Sequence, residues 1–252
     1  MTENKEYLAQ GIVLAALESI IEDAKFTLGK LNTMRRDDGL GRMITSFFYK
    51  QLDHAISVHK LSPSMDVVLI TRTMIEGLMN LSWVMDNPDE RVQDWFDYTA
   101  INNFELLSRK LEDGVLVSQT EKDDIETAYA RVKDRFLQPN GKKHYENFRR
   151  GKSLRDIAEN DDMLKSFYIG IYKYFSDWSH WGPQSLYHAL IQTPDEISYY
   201  EDNHTYLIPA VIAARECLFR TITVANNHFN LGCEEMLNKN YQAHDVEIGK
   251  IL

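Results

Sequence analysis

At 252 residues, 44% hydrophobic and 11% aromatic, the chain is long and apolar enough to bury a sizeable core, and its formal charge of −10 argues against a dedicated binder of nucleic acid or anionic membranes. The two cysteines, Cys217 and Cys233, form neither a disulfide framework nor a metal-ligand spacing, which fits a reducing cytoplasm. The opening MTENKEYLAQ lacks the basic-then-apolar pattern of a signal sequence.

A first helix is predicted over about 3–28, with Leu8, Ile12, Ala15, Ile20 and Phe26 on its apolar face and an end near Gly29. The polar stretch LNTMRRDDGLGR separates it from a second helix over 43–59, which carries Asp53, His54 and His59. Ser62 and Pro63 read as the cap and first turn of a third helix. That helix, VVLITRTMIEGLMNLSWVM over 67–85, has Arg72 and Glu76 as its only charged side chains. It approaches the length of a membrane span, but the central charges and a mean hydropathy of −0.40 for the whole chain favour a buried helix of a soluble bundle.

Pro88 starts a fourth, amphipathic helix that closes at Gly114, and a fifth runs over about 120–136. From Arg131 to Arg155 nine Lys or Arg face only Asp134 and Glu146, so this segment carries +7 and the rest of the chain −17. Within it, 138–152 lacks apolar periodicity and is predicted as a basic loop, a length that is normally functional or disordered. Ser153 caps a short helix, and DDMLKSFYIGIYKYFSDWSHW then forms a strongly apolar one ending at Gly182 and Pro183. The alternation in ISYYEDNHTYLI, 197–208, suits a small β-hairpin as well as a loop. After Pro209, AVIAARECLFRTITVANNHF is a second core helix, and 233–252 a peripheral C-terminal one. The expected fold is a single all-α domain over 1–252, a bundle of about seven to nine helices with 67–85, 164–181 and 210–229 at its centre.

Arg72, Glu76 and Asn80 lie four apart and so share one helical face. Arg and Glu are rarely buried unless paired. Breaking a buried pair costs about 3 to 5 kcal/mol, whereas an exposed one adds at most about 0.5 kcal/mol. Tyr172, Ser176 and His180 repeat the same spacing on the second apolar helix. With RTMIEGLMNL, KSLRDIAEN and IYKYFSDWSHWGPQSL, carrying Arg-x-x-x-Glu and Ser-x-x-x-His, the chain resembles a broad bacterial group catalogued only as a domain of unknown function, over roughly 66–186. The resemblance implies an all-helical fold with these polar residues brought together in the middle, and no activity, cofactor or substrate.

One chemistry for this set makes Ser176 a nucleophile, His180 the base and Glu76 the orienting acid, with Arg72 stabilising developing anionic charge. Ser and His four apart on a rigid helix lack the strained nucleophile turn of hydrolases, so a structural role for Ser176 is the simpler reading. Asp177 with His180, and Glu201 with His204, have a carboxylate and a His three apart, but a di-iron bundle needs two Glu-x-x-His pairs and two further Glu. No metal and no cofactor are predicted. The Arg motif of helical ribonuclease toxins, with His four to six residues on, is absent from the sequence. In the basic segment Lys142, Lys143, Arg149 and Arg150, among Phe136, His144, Tyr145 and Phe148, are the residues that would meet a phosphate backbone and stacked bases. A solvated loop balancing an acidic body is the simpler alternative. Glu216 and Arg220 form another four-apart pair, placed to join Arg72 and Glu76 in one network.

Two function classes follow. The first is a bacterial, cytoplasmic binding or interaction module whose Arg72, Glu76 and His180 cluster is architectural or, with Tyr172 and Asn80, holds a small polar ligand. The second is a nuclease-like or other hydrolase using His180 and Arg72, with the basic loop on nucleic acid. The partner is an unknown protein or a small polar ligand rather than a membrane. A cluster sealed in the core speaks for architecture, and one that opens onto a cleft beside the basic loop speaks for an enzyme.

Overall fold

The computed structural model describes residues 2–31, 37–179, 190–192, 197–199 and 206–250, with side chains over 7–31, 37–176 and 206–250. The helical periodicity of the sequence becomes an all-α bundle: α1 (Thr2–Gly29), α2 (Gly39–Leu61), α3 (Asp66–Asp86), α4 (Pro88–Glu112), α5 (Gln119–Val132), α6 (Leu154–Ala158), α7 (Asp162–Phe167), α8 (Lys173–Ser179), α9 (Leu207–Phe229) and α10 (Glu234–Ile248). Between α7 and α8 the chain makes a π turn, Tyr168–Tyr172, and after α5 a 3-10 turn, Lys133–Phe136. The helices fall into two compact units, Met1–Ser82 with Ile157–Leu252, and Trp83–Asp156.

In the first unit α9 packs most extensively on α2 and α1. Ala210, Ala213, Ala214 and Ala225 of α9, Ala16 and Ala24 of α1 and Ala55 of α2 are all fully buried. Small side chains let helix backbones approach closely, and α1 turns its alanine side inward. Its core stripe is Ala9, Val13, Ala16, Leu17, Ile20, Ile21 and Ala24. Of the five residues expected on the α1 apolar face only Ile20 is in the core, and Leu8 and Phe26 are more than half exposed. That expected set sits to one side of the true stripe, because α1 carries apolar residues on more than one face.

Asp38 caps α2 by accepting the Gly41 N–H at 2.7 Å. Ser62 closes this helix rather than opening the next, sending its N–H and hydroxyl back to the Val58 carbonyl. Helix α3, long and apolar enough to cross a membrane by length and composition, is tied by hydrogen bonds on two sides. Gln51 Nε2 donates to the Met74 carbonyl at 2.8 Å, and Thr71 Oγ1 to the Ala210 carbonyl at 3.2 Å. Val67, Val68, Met74, Ile75 and Met79 are buried, whereas Arg72, Glu76 and Asn80 lie on a half-buried face.

In the helix expected at the centre over 164–181, the described side chains, those up to Ser176, are buried on one side only: Leu164, Phe167 and Phe175 are inside, and Ile169 is 63% exposed. The hairpin expected over 197–208 is displaced towards the N-terminus. Leu190–Gln192 pairs antiparallel with Ile197–Tyr199, Ile191 opposite Ser198. Leu207 and Ile208, its expected return strand, begin α9 instead. Glu201 and His204 lie outside the described residues.

The second unit has its own small core of Tyr98, Ile101, Val132 and Phe136, with Tyr129 and Phe148 packed against it. The basic stretch after Phe136 is a hydrogen-bonded turn rather than a structureless loop. Leu137 bridges His144, Gln138 N–H donates to the Lys143 carbonyl and Tyr145 N–H to the Phe136 carbonyl, both at 2.9 Å. Gly141, at φ +64°, turns the chain between them. Tyr98 then holds the returning segment, its hydroxyl donating to the Tyr145 carbonyl at 2.7 Å.

Truncating the aromatic at the middle of that core tests how far the unit depends on it. Phe136→Ala is expected to cost about 3 to 5 kcal/mol in urea titration, while Leu116→Ala, at a side chain that is 100% exposed, leaves the midpoint where it was.

Candidate functional site

Helix α3 presents Arg72 and Glu76 on its half-buried face, and the π turn and α8 bring Tyr172 and Ser176 to them. Arg72 Nε donates to Ser176 Oγ at 2.9 Å and Nη2 to the Tyr172 hydroxyl at 3.2 Å. The guanidinium lies 4.8 Å from the Tyr172 ring centre, within reach of the ring's negative face. The Tyr172 hydroxyl in turn donates a hydrogen bond to Glu76 Oε2 at 3.3 Å. Burial, followed by the neighbouring Glu76 charge, pushes the Tyr172 phenol above its ordinary value, so it stays protonated and can act as that donor. Arg72 and Glu76 themselves are 3.9 Å apart, the edge of an ion pair. Their side chains are 21% and 39% exposed, so the cluster is open to solvent and not the sealed core pair that an apolar helix suggests.

A π turn inserts an extra residue into the helical repeat, and such turns recur at functional sites. Here it falls on Tyr168–Tyr172, with the Tyr168 and Tyr172 rings stacked at 5.6 Å. Ser176 Oγ returns to the Tyr172 carbonyl at 2.8 Å, the usual bond of a serine inside a helix. His180 lies outside the described residues, as does the side chain of Asp177. Asn80 occupies the next turn of the α3 stripe, half-buried. Four of the expected residues, Arg72, Glu76, Tyr172 and Ser176, therefore meet.

The four expected basic residues divide. Lys142 and Lys143 are exposed in the Leu137–His144 turn. Arg149 and Arg150 line a cleft of the second unit, of about 410 Å³. Sequence reasoning missed what stands behind them. Glu90, Asp94 and Asp97 form an acidic stripe along α4, and Asp94 is fully buried. Its carboxylate meets Arg150 at 2.9 Å and Arg135 at 3.6 Å, while Arg135 also pairs with Asp97 and Arg150 with Glu90. Burial outweighs the two guanidinium charges and pushes the Asp94 carboxyl up, whereas the Arg150 hydrogen bond draws exposed Glu90 down. The signal was available: acids at spacings of four and three on one face of an amphipathic helix, with the chain's basic segment following.

The Glu216–Arg220 pair forms as expected, with Nε to Oε1 at 2.8 Å, but its further partners are Asp161 at 3.0 Å and the Tyr241 hydroxyl, rather than Arg72 and Glu76. Beside it the buried Arg215 binds Asp245 at 2.7 Å and lies 3.9 Å from the Tyr241 ring centre. Asp161 also caps α7 through the Leu164 N–H at 2.9 Å. This second network joins α7, α9 and α10.

These elements define an all-α protein in which two helical segments about a hundred residues apart in sequence share a solvent-facing polar cluster. The chain belongs to DUF5677, a family of unknown function, matched over residues 43–197. The match includes Arg72, Glu76, Tyr172 and Ser176 and extends beyond both ends of the resemblance expected from the sequence. No curated protein and no solved structure matches the chain.

Arg72→Ala should lower stability by about 1 kcal/mol, because the lost hydrogen bonds are half-exposed. A melt showing a loss of about 3 kcal/mol or more would put it in the buried-pair class instead. Asp161 carries a pH signature. Burial raises its carboxyl, but the Leu164 N–H and Arg220 together outweigh that and hold it below the ordinary 3.8. The unfolded chain then binds the proton more tightly, so the Asp161 contribution is complete above 3.8 and is lost as pH falls through the lower folded value. Asp161→Ala is expected to cost about 1 kcal/mol at neutral pH, with the gap to the parent closing in acid when both are titrated with urea.

Proposed function

We propose that this chain is a bacterial, cytoplasmic binding module whose Arg72, Glu76, Tyr172 and Ser176 cluster holds a small polar ligand. The observation that carries the reading is the way Arg72 is held. Its bonds go to two neutral hydroxyls, and among the described residues its nearest carboxylate, that of Glu76, stands 3.9 Å away. A guanidinium presents five donors in a fixed fork and matches carboxylates and other acceptor oxygens well. One oriented by hydroxyls keeps more of its charge for an incoming acceptor than one already locked to a carboxylate. Glu76, 39% exposed beside it, supplies an acceptor for a donor on the same molecule. The ligand is therefore a small molecule with both an anionic or acceptor group and a hydrogen-bond donor.

Ser176 supports binding over nucleophilic catalysis, since its hydroxyl donates to the Tyr172 carbonyl and accepts from Arg72. Two buried free thiols, Cys217 and Cys233, suit a reducing compartment.

A thermal-shift panel of amino acids, small carboxylates and nucleosides tests the reading. A ligand present at one hundred times its Kd stabilises the folded state by about 2.7 kcal/mol, a rise of several degrees for a chain of this size. The expected pattern is a shift in the parent that is lost in Arg72→Ala and reduced in Glu76→Gln. A panel that moves no parent melt, or moves the parent and both variants alike, rejects the site.

A further inference from the structure

We propose that the second unit carries a binding site of its own, a cleft that takes the dianionic phosphate group of a small phosphomonoester. It is a separate site from the Arg72 cluster and stands on different residues. The cleft measures about 410 Å³, within the range of small-molecule sites, and is lined by Arg91, Arg135, Arg149, Arg150 and Lys152, with Glu90 the single carboxylate of the lining.

The cations are placed by carboxylates underneath. Asp94, 0% exposed, draws Arg150 and Arg135 together, and Asp97 takes a second contact with Arg135. Among the described residues neither Asp94 oxygen makes an aligned hydrogen bond. The buried acid therefore holds the guanidiniums by charge and position, and leaves N–H groups of both for a ligand. Arg150 adopts φ +49°, uncommon for a residue with a side chain, and is followed by Gly151 at +89°. The Tyr145 ring sits 3.1 Å from where a Gly151 Cβ would be, so this glycine admits the ring against the backbone at the cleft wall.

Charge decides the class of ligand. The five cations of the lining and Arg131 beside them stand against Asp86, Glu90, Asp94 and Asp97, the carboxylates that these arginines pair with, a surplus of two positive charges. That surplus matches a phosphate dianion, and forked guanidiniums suit its tetrahedral oxygens. The unit as a whole has 13 Lys or Arg against 15 Asp or Glu. A nucleic-acid track needs basic charge spread along a surface, whereas here it converges on one cleft within an acidic unit.

Calorimetric titration of the full chain with inorganic phosphate, ribose 5-phosphate and a short single-stranded oligonucleotide tests the site. Expected is saturable binding of ribose 5-phosphate or of phosphate, weakened roughly tenfold or more by Lys152→Ala combined with Arg149→Gln and unchanged by Lys143→Ala outside the lining. Affinity should also fall as pH drops below about 6, where a phosphomonoester loses its second charge. Tighter binding of the sugar phosphate assigns the site to an organic monoester, and equal binding assigns it to phosphate itself; both support it. The proposal is overturned if neither phosphate binds, if the double variant binds as the parent does while circular dichroism shows both folded, or if only the oligonucleotide binds.

Discussion

The close approach of α9 to α1 and α2 is the constraint on which the first unit depends. Fully buried alanines on all three helices leave room for little but backbone between them, and that selects which face of each helix turns inward. Helix α3 is then fixed from two sides, by Gln51 on the Met74 carbonyl and by Thr71 on the Ala210 carbonyl. With those two contacts satisfied, the stripe through Arg72, Glu76 and Asn80 has nowhere to go but the half-exposed side. The polar cluster is thus a consequence of how the alanine-lined helices pack.

The two units treat their arginines differently. In the first, Arg72 is held by two hydroxyls and a tyrosine face rather than locked to a carboxylate. In the second, a fully buried Asp94 organises Arg135 and Arg150, and its raised carboxyl records what that burial costs. The two guanidiniums that it positions both line a cleft. The Arg220 network is a third arrangement, in which Asp161 both caps a helix and pairs a guanidinium, so one side chain serves two elements.

The π turn breaks the regular repeat at Tyr168–Tyr172 and so sets where Tyr172 stands against α3. An α-helical repeat alone puts Tyr172 and Ser176 on one face. Both arrive at Arg72, one through its ring and hydroxyl and the other through its Oγ. Membership of a family of unknown function over 43–197 places these residues within the family span while leaving the chemistry to be read from their geometry.

Local pattern determined the helical class, the start of α4 at Pro88, the cap at Ser153, and the two four-residue stripes that meet at Arg72 and Tyr172, because periodicity and capping act over a turn or two of chain. It also located the chain's excess of basic residues. Tertiary structure decided which face of α1 is core, since helix α1 has apolar residues on several sides and only the close packing of α9 chooses among them. It decided that Ser62 ends one helix rather than starting another, and that Leu207 belongs to a helix rather than a strand. It paired the acids of α4 with arginines some forty to sixty residues further along, a match of charges that spacing along the chain does not encode. Above all it left Arg72 and Glu76 half-exposed, because burial depends on what packs against a helix and not on how apolar the helix is.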